Sequence, residues 1–184
     1  MERADAARNR ARILEAAAQL FAEKPPQDVT MDDIARKAGV GRGTLYRRYP
    51  DRASIAVALL DEHERELQER LLRGEPPLGP GAPPAERLAA FYAAMVRLLE
   101  DHAHLVLGSE VGRSRFETGA YGFWRAHVRA LLVAVGTPGP DALVDVLLAP
   151  LAPEVYSYQR SVLGLTPTQI TEALTRLTAI LEPW

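Results

Sequence analysis

A chain of 184 residues with 47% hydrophobic side chains can hold one large domain or two small ones and is apolar enough to build a core. It has no cysteine, which excludes disulfides and thiolate metal sites. Its net charge of −2 is unevenly divided, because residues 1–50 carry a net +3 and residues 51–184 a net −5, and a basic head on an acidic body suits a polyanion-binding end.

The first helix is predicted over about 7–23, with Ile13, Leu14, Ala17, Leu20 and Phe21 forming one apolar stripe and Pro25-Pro26 as its stop. A second starts after Thr30, a cap residue followed by Asp32 and Asp33, which suit the positive end of the helix dipole. Gly39 has the position of a left-handed C-terminal cap. A short third helix follows over about 42–49 and ends at Pro50. A fourth runs over about 51–73, with Ile55, Leu59, Leu60, His63, Leu67 and Leu71 on one side.

Residues 74–84, "GEPPLGPGAPP", cannot continue a helix and read as a stiff connector, whose order the composition leaves open. The rest is predicted as helices over about 84–101, 102–113, 119–135, 141–164 (kinked at Pro150 and Pro153) and 167–182. The last of these opens with Thr166 as cap, Pro167 at the first position and Gln169 closing a capping box. The expected fold is all-α with about nine helices: a head over 1–50 and a helical body over 51–184. The N-terminus lacks an apolar signal core, and the most apolar stretch, "ALVDVLLAPLAP", is cut by Asp145 and two prolines. No membrane is expected as a partner, and a cytoplasmic location is.

Helix, glycine turn and short helix over 31–49 have the proportions of a helix-turn-helix, whose second helix enters the DNA major groove. Such a helix needs a slim tip and an exposed face of donors. Arg42, Gly43, Thr44, Tyr46, Arg47 and Arg48 supply these, while Leu45 points back to a small core.

The segments "RILEAAAQLFAE", Thr30 and "DIARKAGVGRGTLYRRYPDR" together resemble the N-terminal domain of the TetR family of bacterial transcriptional regulators. The resemblance covers about residues 10–60. It departs at Pro25-Pro26, where the family usually has glycine, and at Tyr49 and Arg52, where it usually has Phe and Lys. It implies base contacts from Arg42, Gly43, Tyr46 and Arg48. Phosphate contacts are implied for Thr30, Thr44, Arg47, Tyr49 and Arg52. A double-stranded DNA operator, a homodimer and an unidentified small-molecule effector are the partners it implies, with the body as the ligand-binding and dimerisation domain.

Candidates for a ligand pocket in that body are Tyr92, Met95, His102, Tyr121, Trp124 and His127, while Arg113 and Arg115 read as part of a solvated loop rather than as contacts to an acidic ligand. Leu147, Leu148, Leu151, Val155, Tyr158, Leu174, Leu177 and Leu181 form apolar stripes suited to a dimer surface. The "HAH" of 102–104 invites a metal reading, but without cysteine and with few nearby carboxylates no metal is expected, nor any cofactor. No serine elbow, phosphate-cradling glycine loop or H-E-x-x-H is present, so the chain is not expected to be an enzyme. The reading is a ligand-released repressor of a palindromic operator. Its alternatives are an architectural DNA-binding protein without effector and an α-helical enzyme.

Overall fold

A computed structural model describes the backbone of residues 2–24, 28–109 and 119–181. Its regular elements are all helical: α1 (Glu2–Glu23), α2 (Met31–Ala38), α3 (Arg42–Arg48), α4 (Arg52–Arg73), α5 (Pro84–Ser109), α6 (Gly119–Ala134), α7 (Pro140–Leu148), α8 (Pro153–Ser161) and α9 (Pro167–Thr175). The predicted stop at Pro25-Pro26 and the arginines at 113 and 115 lie outside the described residues.

The chain forms two compact units, Met1–Glu62 and His63–Trp184, and α4 contributes residues to both. In the first unit, Ile13, Ala17, Val29, Ile34, Leu45 and Ile55 are buried almost completely. The side chains of α3 contribute little to this core: Leu45 is its buried apolar residue, and Tyr49 follows as its C-terminal cap. In the second unit α5 packs against α6, α8 and α9. Phe91, Tyr92, Trp124, Val128, Leu132, Leu147 and Leu174 lie in one continuous cluster there.

Local signals account for the starts and stops. Thr30 Oγ1 accepts from the Asp33 amide at 3.1 Å, and the Asp33 carboxylate accepts from the Thr30 amide at 3.1 Å, a closed capping box. Thr166 and Gln169 repeat the arrangement at α9. Gly39 ends α2 at φ +62°, with its own amide and that of Val40 bonded back to the Arg36 and Ala35 carbonyls.

Four expectations are corrected. The first helix starts at Glu2, because the alanine-rich residues before 7 favour helix without any apolar face. The two helices expected over 84–113 are one as far as Ser109, since no proline or glycine interrupts residues 85–107. The helix expected over 141–164 is broken rather than kinked. Pro150 has no amide to bond back, and Ala152, the residue before Pro153, is extended at φ −62° and ψ 130°. A 3-10 turn over Ala149–Leu151 fills the gap, and another over Arg176–Leu181 replaces the end of the last helix. The Pro/Gly segment after α4, whose order the composition left open, is a built turn. The Gly79 amide donates to the Glu75 carbonyl at 2.9 Å, and Leu78 is buried in the second unit's core.

Candidate nucleic-acid interface

Each residue of α3 is turned about 100° from the last, so Gly43 and Arg47 lie opposite Leu45, Thr44 and Tyr46 lie to either side of that pair, and Arg42 and Arg48 flank Leu45. Leu45 is fully buried, whereas Arg42, Gly43, Tyr46, Arg47 and Arg48 are exposed and Thr44 is half-buried. One leucine therefore anchors the helix, and nearly all of its remaining side-chain surface is polar or cationic. Burying a leucine contributes about 1.5–3 kcal/mol, so this anchor needs the backbone turn to hold α3 in place. That turn has the Gly39 cap on one side and Gly41 on the other, whose carbonyl accepts from Thr44 at 2.9 Å and Leu45 at 3.1 Å. The Arg12 guanidinium, from α1, donates to the Gly39 carbonyl at 2.9 Å and fixes the turn from below.

The predicted contact residues differ in how far they are already engaged. Arg42 donates through Nη2 to Oδ2 of Asp32, across the turn at the start of α2. Arg52 donates to the Val29 carbonyl at 2.9 Å. The Thr30 hydroxyl donates to the Asp33 carboxylate at 2.7 Å, and the two Thr30 donors hold that carboxyl below its usual range. Arg48 makes a long contact of 3.4 Å with the Ala6 carbonyl of α1. Tyr49 is buried, so only its edge can face a ligand, while Tyr46 is 48% exposed. Gly43 has nothing within 4 Å of the place a Cβ would take. Asp32 and Arg12 were not among the predicted site residues. The usable signal for Asp32 was its place in the first turn of α2, facing the residue that opens the next helix.

In the second unit the pocket candidates scatter. Tyr92, Met95 and Trp124 are core residues, and the Tyr92 hydroxyl donates to the Leu147 carbonyl at 3.1 Å. Burial pushes that phenol's pKa upward. Tyr121 donates to Asp145 at 2.9 Å on the α6–α7 side. His127 lies against the Phe91 ring at 5.3 Å, and burial, with the Arg87 cation nearby, pushes its pKa down to about 4. His102 is buried, with Nε2 at 2.5 Å from Nδ1 of His63. These two histidines line a cleft of about 190 Å³ between α4 and α5 with Arg70 and Arg97. Among the described residues, no three metal-ligating side chains converge.

The dimer candidates divide likewise. Leu147, Leu148, Leu151, Leu174 and Leu181 belong to the chain's own core. Val155, Tyr158 and Leu177 are exposed, at 40%, 53% and 39%. Val162 and Leu163, not predicted, add to the exposed apolar surface after α8.

A family model described as "Bacterial regulatory proteins, tetR family" matches residues 13–59. An HTH-type transcriptional regulator of Mycobacterium tuberculosis H37Rv is 30% identical over 132 residues, 71% of this chain and 63% of its own length. The chain thus matches somewhat under two thirds of that relative. Among solved structures, the regulator FadR from Bacillus subtilis in complex with stearoyl-CoA has a TM-score of 0.65 at 18% identity, covering 91% of this chain and 96% of FadR. NalD, the secondary repressor of the MexAB-OprM multidrug efflux pump in Pseudomonas aeruginosa, has a TM-score of 0.59 at 22% identity, covering 94% and 96%. Both share the fold.

Proposed function

We propose, from the match of residues 13–59 to a model of the tetR family of bacterial regulatory proteins, that the whole chain is a sequence-specific DNA-binding regulator of transcription. The observation that carries this reading is α3 itself: one buried leucine beneath a face of exposed arginines, a tyrosine and a glycine. A helix so poor in apolar anchors and so rich in donors suits a groove about 12 Å wide lined by acceptors and bounded by phosphates. Arg42, Gly43, Tyr46 and Arg48 contact base edges. Thr30, Thr44, Arg47, Tyr49 and Arg52 contact phosphates and set the register.

One α3 reads one half-site. Two copies spaced about 34–36 Å apart, or a multiple of that, read a palindrome, and a two-fold dimer supplies them. The exposed apolar surface of Val155, Tyr158, Val162, Leu163 and Leu177 supports a dimer through α8 and the C-terminal turn. Occupying an operator blocks transcription, and a small molecule held in the body releases the repressor if it prefers the state that cannot bind DNA. FadR, the relative in fold that is seen with stearoyl-CoA, supports a body that accepts a ligand.

Selection of bound duplexes from a random pool with the full chain, followed by mobility shifts on the selected site, tests this. A palindromic consensus is expected. Arg48→Ala should relax preference at one base position per half-site. Arg47→Ala should weaken binding to all sequences alike and flatten the salt dependence by about 0.9 in log–log slope. Failure to select any sequence overturns the reading, and identical behaviour of the two variants overturns the division of roles.

A further inference from the structure

We propose that Asp32 is a specificity-determining residue: its carboxylate holds Arg42 in a base-reading orientation and keeps it off the phosphates. The proposal rests on the reading of Arg42 as a base-contacting residue. Asp32 is the second residue of α2 and Arg42 the first of α3, and their side chains meet across the glycine turn through Nη2 and Oδ2. Both are substantially exposed, Arg42 at 72% and Asp32 at 40% of their side chains. An ion pair so wetted contributes little to stability. Asp33, next along the chain, already closes the capping box and answers the helix dipole. Stability therefore gives no strong reason for a carboxylate at 32.

Charge gives a reason against it. The first helix of such a motif crosses the DNA backbone, where a carboxylate repels phosphates. What the carboxylate supplies is direction. A free arginine on a flexible stem pairs readily with the abundant phosphate oxygens, which carry no sequence information. A guanidinium has five N–H donors in a fixed fork. One of them is committed to Asp32, and the others stay available to a base edge while the tether limits the swing. Asp32 thus trades affinity for discrimination.

The test uses the full chain, the duplex selected by the wild type and a scrambled duplex of equal length, each titrated across a range of salt. Asp32→Asn should bind the scrambled duplex more tightly, with a log–log salt slope steeper by about 0.9. Its ratio of specific to non-specific affinity should fall by about tenfold, the scale of one base contact. In a repeat selection, Asp32→Asn should relax the same base position that Arg42→Ala relaxes. The double variant should relax it no further than Arg42→Ala alone. Asp32→Glu should restore most of the discrimination. Asp28→Asn, an exposed charge removed elsewhere in the head, serves as the control: a general loss of repulsion raises both affinities alike and leaves the ratio unchanged. If Asp32→Asn behaves like this control, or if its effect adds to that of Arg42→Ala, the proposal is overturned while the DNA-binding reading stands. A wild-type chain that selects no sequence overturns both.

Discussion

At Gly43, stability and function should pull in opposite directions. The residue sits inside a seven-residue helix, where glycine costs about 1 kcal/mol relative to alanine. No neighbouring atom within the chain accounts for it, because the space a Cβ would enter is open. Gly43→Ala should therefore raise the melting temperature and lower affinity for the selected duplex, since the added methyl occupies the slot that a base or sugar would approach. An alanine variant that binds as tightly as the wild type would reduce Gly43 to chance. Gly39 is the contrasting case. Its φ of +62° explains it within the fold, since the nearest atom to a Cβ there, the Arg12 guanidinium tip at 2.5 Å, sits on a flexible stem that can swing aside. Sequence alone separated these two glycines by position in the helix. It did not reveal Arg12 or Asp32, because a charged side chain's partner across a turn leaves no periodic trace.

Between elements, the α5–α6 pairing carries a titrating group. His127 packs on Phe91 with its pKa displaced from 6.5 to about 4 by burial and by Arg87. The folded value lies below the unfolded one, so the unfolded chain takes up the proton first. The stability that His127 contributes is fully present above about 6.5 and is lost as the pH falls towards 4, with a slope of at most about 1.4 kcal/mol per pH unit. Replacing His127 by Gln should flatten the fall in melting temperature across that interval, and an unchanged profile would rule the histidine out as its source. Helix boundaries were legible where a single side chain decides them, as at Thr30, Gly39 and Thr166. They were less so at Pro150 and Pro153, where two successive defects in the amide ladder turned an expected bend into a full break.

For the whole molecule, the proposed dimer draws on less apolar surface than the sequence offered it. Five of the eight leucine-rich positions expected to face a partner are packed inside the chain. An apolar stripe at helical spacing has the same appearance whether it meets its own core or a second copy, so sequence could not divide them. Tyr158, 53% exposed on α8, becomes the better probe. Tyr158→Glu should leave helix content intact, shift sedimentation from dimer to monomer and abolish high-affinity binding to a palindrome while half-site binding persists. A dimer that survives this change would move the interface elsewhere. The all-α class and the head's motif were readable in advance, whereas the cleft beside His63 and His102 depended on which helix faces which. The Pro/Gly segment after α4 bears on how the chain can be engineered. By composition it is the natural place for an epitope or a protease site. Yet Leu78 is sunk in the core, and a Cβ at Gly79 would stand 1.7 Å from the Gly74 carbonyl oxygen. An insertion between 78 and 79 is expected to yield poorly soluble protein, whereas one at the exposed glycine turn around 136–139 should be tolerated; to a grafted tag, the stretch that reads like a hinge is a keystone.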